Sequence, residues 1–422
     1  MKPTKRKNIV PIPKDILLEI FVKLPAKRLL RFKCVSKHWC SIIEGSELVD
    51  AFRNRPCNRG TNLLVRRKCT QEEETIEGRR KFNDFFLLDS EGKCVPLEVP
   101  VILQEKFFSN DDGEWQHVEG LVHRKNIIWN PTTRKVVHLP PRNPFWDASK
   151  VIENMGIVAG CDNWSVSSKY FLGFDVSIKK HKVLCICRMD FRMNTISDGY
   201  IENSDIQKSQ VSIEVLTLGA NCWKKTTSDY PLPKELFEDF HVKTYCSING
   251  VIYMIICPPC KRFQLPRRRS DQNDTILAYD ITHEKFQLLP LPRGIGGIVH
   301  FVGDLRGRLT LMQQKHKQIW ILEEDYGGPR WTVVDLLLPE LWYTREISLR
   351  EKIVKPIGLN PSGEIFFEVK EFSLNIKESS LSTIYVYNME SKDTRKVRFL
   401  TRMKNFFGSI FPNLVATIQP LK

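Results

Sequence analysis

Residues 127–141 read IIWNPTTRKVVHLPP. An apolar run meets an Asn-Pro turn, a few polar residues follow, and a second alternating run ends in Leu-Pro. Period-two alternation on both sides of a turn residue whose side chain can bond its own backbone specifies a β-hairpin. The unit returns as FFLLDSEGKCVPLEVP, FLGFDVSIKKHKVLCIC, IEVLTLGANCWKKT, ILAYDITHEKFQLLPLP, IWILEEDYGGPRWTVVDLLLP and IYVYNMESKDTRKVRFL. With turns taken at Asp89, Asn130, Asp175, Leu218, Asp280, Glu324 and Asn388, successive spacings are 41, 45, 43, 62, 44 and 64 residues. Strands repeating every 40 to 50 or so residues are the mark of propeller blades, each a four-stranded sheet around a common axis. Seven hairpins predict six or seven blades. Glycine-opened pairs such as SINGVIYMI, VGDLRGRLTLM and LNPSGEIFFEV supply the remaining strands. A β-sandwich or a pair of barrels is the alternative, and repetition at one period argues against it.

The long intervals hold polar inserts, CKRFQLPRRRSDQND and LWYTREISLREK, and residues 192–210 form another. Upstream of the repeats, residues 51–84 carry blocks of like charge, RRK, EEE and RRK again, and read as a solvated connection.

The first 50 residues differ in kind. IPKDILLEIFVKLP puts Ile16, Leu17, Ile20, Phe21 and Leu24 at helical spacing, with Pro13 suited to a first turn and Pro25 ending the run. AKRLLRFKCV gives a second short helix, and Ser36 can cap a third that carries Trp39, Ile42 and Ile43. Three helices in so few residues bury too little surface to stand securely alone. Their apolar faces exceed one small core, so the surplus is a surface for a partner or for the rest of the chain. The chain is therefore expected to be an α+β multidomain protein: 1–50 helical (core 12–43), 51–84 the connection, 85–405 the propeller, and 406–422 a last strand or tail.

The whole chain has 422 residues, with 64 Lys and Arg against 49 Asp and Glu, a formal net charge of +15. Hydrophobic residues at 42% and charged residues at 27% belong to a folded protein. The densest apolar run, 251–257, is far below the roughly 18 residues of a membrane span. The opening MKPTKRKN is charged where a secretory signal is apolar, which points to nucleus or cytoplasm. In those reducing compartments the 12 cysteines are expected as thiols. Cys257 and Cys260 have the two-residue gap of a zinc pair, but no second such pair exists, and His241 and Cys246 fit no common module. No metal or other cofactor is expected.

Catalytic signatures are missing from the sequence. It has no phosphate-cradling GxxxxGK[ST], no GxSxG elbow and no HExxH, and Gly294, Gly296 and Gly297 miss the dinucleotide spacing. Asp111-Asp112 and Glu323-Glu324-Asp325 read as solvated turns. A binding protein rather than an enzyme is expected. Basic clusters at Lys5–Lys7, Arg66–Lys68, Arg79–Lys81 and Arg267–Arg269 raise a nuclear nucleic-acid-binding propeller as the alternative. They are dispersed among acidic residues, with no nucleic-acid-binding motif beside them.

Residues 12–43 closely resemble the F-box in its plant form, with IPKDIL for its LP-x-x-[IL]-[IL] opening, the central Leu24-Pro25, and RFKCVSKHW for its RF-x-CVSK-x-W ending. Ile12 replaces the commoner leucine. The resemblance implies that Ile12, Pro13, Leu17, Ile20, Leu24, Pro25, Leu29, Leu30, Phe32, Val35, Ser36 and Trp39 pack the unit and bind the Skp adaptor of an SCF ubiquitin ligase. The repeats resemble the F-box associated domain of the same plant proteins, a kelch-like propeller. Trp129-Asn130-Pro131, Thr133-Arg134 and Leu139-Pro140 match its WNP-x-TR-x-LP element. Phe174-Asp175 with Lys182-Val183-Leu184, and Ser247–Gly250 with Tyr253, match later turns. Paired kelch glycines are not in register, since Gly327-Gly328 lies too near Trp331. The resemblance implies a non-catalytic ligase subunit whose propeller binds a protein substrate.

Overall fold

The computed structural model describes residues 12–55, 63–68, 83–88, 94–100, 103, 115–142, 163–192, 195–197, 200–202, 206–226, 241–257, 275–292, 295, 301–312, 317–325, 328–339, 350–360, 362–373, 381–397, 407–411, 417–418 and 420–421. Four helices open the chain: α1 (Lys14–Lys23), α2 (Ala26–Phe32), α3 (Lys37–Glu44) and α4 (Ser46–Arg53). Leu24 is extended (ψ 148°), since the proline ring after it excludes the helical region, and this separates α1 from α2. Ser36 Oγ accepts from Trp39 N at 3.1 Å and caps α3. The sequence reading stopped at three helices. The fourth follows Gly45 directly, whose N–H bonds Ile42 O and whose carbonyl accepts from Val49 N. Leu48, Val49 and Phe52 are its buried face.

Six four-stranded antiparallel sheets follow. The first joins β1 (Leu63–Lys68), β2 (Asn83–Leu88) and β3 (Cys94–Leu97) to the last strand of the chain, β26 (Phe407–Phe411). The second is β4 (Gln116–Val118), β5 (Leu121–Arg124), β6 (Ile127–Asn130) and β7 (Lys135–His138). The third runs β8 (Asn163–Asp175), β9 (Lys180–Arg192), β12 (Ile206–Thr217), β13 (Lys224–Lys225), with a small hairpin, β10 (Thr195–Ser197) and β11 (Tyr200–Glu202), between β9 and β12. The fourth is β14 (His241–Ile248), β15 (Val251–Cys257), β16 (Thr275–Asp280) and β17 (Lys285–Leu289). The fifth is β18 (Phe301–Leu305), β19 (Arg308–Met312), β20 (Gln318–Asp325) and β21 (Gly328–Asp335). The sixth is β22 (Arg350–Leu359), β23 (Glu364–Ser373), β24 (Leu381–Asn388) and β25 (Thr394–Lys396). First strands of successive blades touch, β4 with β8, β8 with β14, β14 with β18, β18 with β22, and β22 with β26, so they line the axis. The fold is a six-bladed propeller closed by its C-terminal strand.

Seven hairpins became six blades because Asp175 and Leu218 sit in turns of one blade, the third. The β8–β9 turn copies the turn used between third and fourth strands elsewhere. Asn130, Asp175, Asp280 and Asn388 each accept two backbone N–H groups, from the residues two and three positions on. Four residues on, Arg134, Lys179, Glu284 and Lys392 each take a positive φ of 52° to 61°. Side-chain acceptance and a left-handed exit residue together make the turn tight.

The charged connection expected over 51–84 is also corrected, because β1 lies within it. Leu64 and Val65 are both fully buried, one on each face, since β1 is sandwiched between β26 and β2. The charged run is the far end of that strand, and the Arg66 guanidinium lies 5.6 Å from the centre of the Trp115 ring. The blocks at 72–74 and 79–81 lie outside the described residues, as do Lys5–Lys7, Asp89, Asp111-Asp112, Cys260 and Arg267–Arg269.

Blade faces meet through aliphatic layers. Phe171, Leu184 and Ile186 of the third blade pack on Ile252, Met254, Leu277 and Tyr279 of the fourth. Gly173 permits this approach, since a Cβ there would stand 2.6 Å from Ile281 Cδ1.

Candidate functional site

The helical unit is built on three rings. Trp39 meets Phe21 at 5.1 Å and Phe32 at 5.3 Å between ring centres, both edge to face. Leu17, Leu29, Ile42, Ile43, Leu48 and Phe52 complete the core. This divides the residues that the F-box resemblance singles out. Leu17 and Leu29 are buried, and Leu24, Leu30, Phe32 and Trp39 are half-buried. Ile12, Pro13, Ile20, Pro25, Val35 and Ser36 are exposed. Exposure reaches 50% at Ile12, 44% at Ile20 and 60% at Val35, high for aliphatic side chains. Ile16, one turn before Ile20 on the same face of α1, is 45% exposed and was left out of the sequence-derived set. Its helical spacing was the available signal. Exposed charges lie on the same helices: Lys14, Asp15, Glu19 and Lys23 on α1, Lys27, Arg28 and Arg31 on α2, and Lys37 on α3.

The opposite side of the unit is taken up by the propeller. Lys179, in the β8–β9 turn, reaches Asp50 on α4 at 2.6 Å. Arg53 Nε lies 3.7 Å from Glu119 in the β4–β5 turn, and its guanidinium carbon stands 4.5 Å over the Phe174 ring. Burial raises the Glu119 carboxyl, against the opposing pull of Arg53. Arg55 ties the end of α4 back to α1, donating from Nη2 to Leu24 O at 2.7 Å and Phe21 O at 3.2 Å, with its guanidinium carbon 3.6 Å over Phe52. The C-terminal segment completes the junction. Asn130 Nδ2 donates to Thr417 O at 3.0 Å, Thr417 N donates to Thr132 Oγ1 at 3.3 Å, and Ile418 is fully buried in the helical core.

Beneath this junction a buried ion pair locks two blades. Lys182 Nζ lies 2.8 Å from Asp175 Oδ2 and donates to Ile281 O at 3.0 Å, while Thr282 Oγ1 donates to Asp175 Oδ1 at 3.2 Å. Burial alone would raise the Asp175 carboxyl, but bonds from Lys182, Ser177 and Ile178 N outweigh it and hold it at about 2. The group is structural. Cys185 and Cys187 face Arg142 between the second and third blades, at 2.7 Å and 3.3 Å. Burial pushes the Cys185 thiol up to about 12 despite Arg142, which leaves a protonated, unreactive sulfur. Of the sequence-flagged acidic triplet, Glu323 pairs with Arg308 at 3.1 Å on the blade surface.

A helical unit of this composition on a six-bladed propeller agrees with comparisons of the sequence. The profile of the family described as F-box associated beta propeller domain matches residues 98–412, and the F-box domain profile matches residues 11–50. The chain belongs to the F-box associated β-propeller family.

Among its relatives, F-box only protein 8 of Arabidopsis thaliana is 26% identical over 295 residues, covering 68% of this chain and 81% of that protein. A putative F-box protein of the same plant is 27% identical over 342 residues, covering 78% of this chain and 77% of its own. Similarity to the solved structure of YjhT, at a TM-score of 0.35 and 10% identity over 68% of this chain and 82% of the other, is too slight to argue from. The family motif positions acquire physical roles in the F-box protein. Trp129 is fully buried edge-on to Phe85 at 5.2 Å, and Asn130 both closes its own turn and holds Thr417. Asn249 and Gly250, with φ of 49° and 85°, form the two-residue turn between β14 and β15.

Proposed function

We propose that this F-box protein is a substrate-receptor subunit of an SCF-type ubiquitin ligase, binding a Skp-type adaptor with its helices and a protein substrate with its propeller. The observation that carries the reading is the exposed aliphatic set Ile12, Ile16, Ile20 and Val35 on a unit whose other side is already occupied by the propeller. Covering the half of each such side chain that is still exposed releases about 0.7 to 1.5 kcal/mol, so that several together can anchor an interface. Exposed lysines and arginines outnumber exposed acidic residues on α1 to α3, which favours an acidic rim on the partner.

Chain connectivity supports a substrate surface at the other end of the blades. Turns between first and second strands, and between third and fourth, lie at the end that carries the F-box. Connections between second and third strands, and between successive blades, leave from the opposite end. These are the long ones, joining β9 to β12, β15 to β16 and β21 to β22, and they carry the polar inserts. Long loops on a rigid scaffold are where recognition concentrates. In this reading the protein contributes no catalytic group. It raises the local concentration of substrate lysines around a ubiquitin-conjugating enzyme.

Co-purification of a Skp-type adaptor with the full chain tests this. Wild type should retain adaptor, and the Ile16→Asp/Ile20→Asp variant, folded by circular dichroism, should lose it. Failure of wild type to bind, or equal binding by the folded variant, defeats the reading.

A further inference from the structure

The F-box is not finished by its own residues. Ile418 lies about 370 positions beyond α4 in the chain, yet it is fully buried among Leu17, Phe21, Leu29, Ile43 and Phe52. What holds it there is the propeller. Thr417, fully buried, is gripped on both sides of its peptide by the β6–β7 turn, through Asn130 Nδ2 and Thr132 Oγ1. Leu421 inserts into the apolar layer between the second and third blades, with Leu172, Val183, Leu216 and Trp223. A few residues upstream, β26 is the strand that closes the first blade. One short stretch therefore closes the ring, crosses the second blade and plugs the helical core.

We propose that Ile418 is a positioning residue for adaptor binding, so that the F-box becomes competent only when the C-terminal segment of a closed propeller has docked into it. The proposal rests on the adaptor-binding role given above. Ile418 belongs to the buried cluster with Leu17 and Phe21 of α1, Ile42 and Ile43 of α3, and Leu48, Val49 and Phe52 of α4, and would act through the packing of α1 against α3 and α4. A helical unit of about 40 residues has no reserve with which to fill the void that loss of a buried isoleucine leaves. The consequence is directional: the partner-binding unit formed by residues 12–55 depends on a residue that follows every blade of the propeller in sequence. A truncated or misclosed propeller would carry an intact F-box sequence and still fail to recruit the ligase.

The test measures adaptor affinity of the full chain by biolayer interferometry, alongside far-ultraviolet melting of the β-sheet signal. Ile418→Asp should weaken adaptor binding tenfold or more while the sheet melts within a few degrees of wild type. Ile418→Leu, which keeps the plug, should bind within about twofold. Deletion of residues 417–422 should reproduce the loss, and a synthetic peptide of residues 412–422 added in trans should restore binding. If Ile418→Asp or the deleted chain binds as tightly as wild type, the inference is overturned while the adaptor role stands. If wild type itself does not bind, the adaptor role is what fails.

Discussion

Lys179 Nζ stands 2.6 Å from Asp50 Oδ2, while three residues on, Lys182 Nζ stands 2.8 Å from Asp175 Oδ2. The two ion pairs differ in what surrounds them. Lys179 is 60% exposed at the junction of F-box and propeller, whereas Lys182 and Asp175 are 10% and 2% exposed between blades. Exposed pairs contribute about 0 to 1 kcal/mol, but stripping one partner from a buried pair costs about 3 to 5 kcal/mol because the other charge is left without compensation. Lys179→Ala should leave the urea midpoint nearly unchanged, and Lys182→Ala should lower it severely. Equal effects would contradict the burial difference.

Leu17 and Ile20 are three residues apart on α1 and should respond in opposite ways. Leu17 is 3% exposed beneath the aromatic triad, so Leu17→Ala should cost about 2 to 5 kcal/mol, felt as raised amide exchange throughout α1 to α4. Ile20→Ala removes a 44% exposed side chain and should leave exchange unchanged while weakening adaptor capture. Ser36→Ala removes the cap on Trp39 N and should cost about 1 kcal/mol.

Much of this was legible in the sequence, for identifiable reasons. Helical spacing in ILLEIF and the prolines on either side placed α1, and alternation around Asn130, Asp280 and Asn388 placed the outer hairpins. Burial was less legible: Ile16, Leu17 and Ile20 are alike in composition, and only the packing of Phe21, Phe32 and Trp39 decides which of them faces inward. Strand β1 escaped because its charged end, Arg66 to Lys68, outweighed two buried aliphatics. The blade count was readable only as six or seven because the Asp175 turn repeats local chemistry at a different place in its blade. Docking of Ile418 into residues near the other terminus had no local signal at all, since it joins segments far apart in sequence.

Acid should destabilise the propeller through His123. Its ring is fully buried beside Tyr170, and its Nε2–H donates to Lys125 O at 2.7 Å. Burial pulls it down to about 4 against the opposing bond to that carbonyl, below the ordinary 6.5. The unfolded chain then binds the proton more readily, so stability is complete above about pH 6.5 and falls as pH drops toward 4. By pH 5 this ring alone should cost about 2 kcal/mol. Urea titrations at pH 7.5 and 5 should show that loss in wild type and a smaller one in His123→Gln. An identical pH slope in both would remove His123 as the cause.

The repeated turns predict a graded set of losses. Asp280 and Asn388 accept the same pair of backbone N–H groups, but Asp280 also accepts from the His283 ring at 2.7 Å. Removing either acceptor leaves two turn amides to water, a cost of about 1 kcal/mol apiece at exposed positions. Asp280→Asn keeps the amide bonds and gives up only the carboxylate oxygen that accepts from the His283 ring, so it should be milder than Asp280→Ala. The exit residue points the other way. Lys392 has a φ of 61°, where a side chain is strained and glycine is not, so Lys392→Gly should stabilise the β24–β25 turn or leave it unchanged. Thermal melts should place Asp280→Ala below Asp280→Asn, Asn388→Ala below wild type, and Lys392→Gly at or above wild type. A large loss at Lys392→Gly would mean that the lysine side chain, rather than backbone geometry, holds the turn.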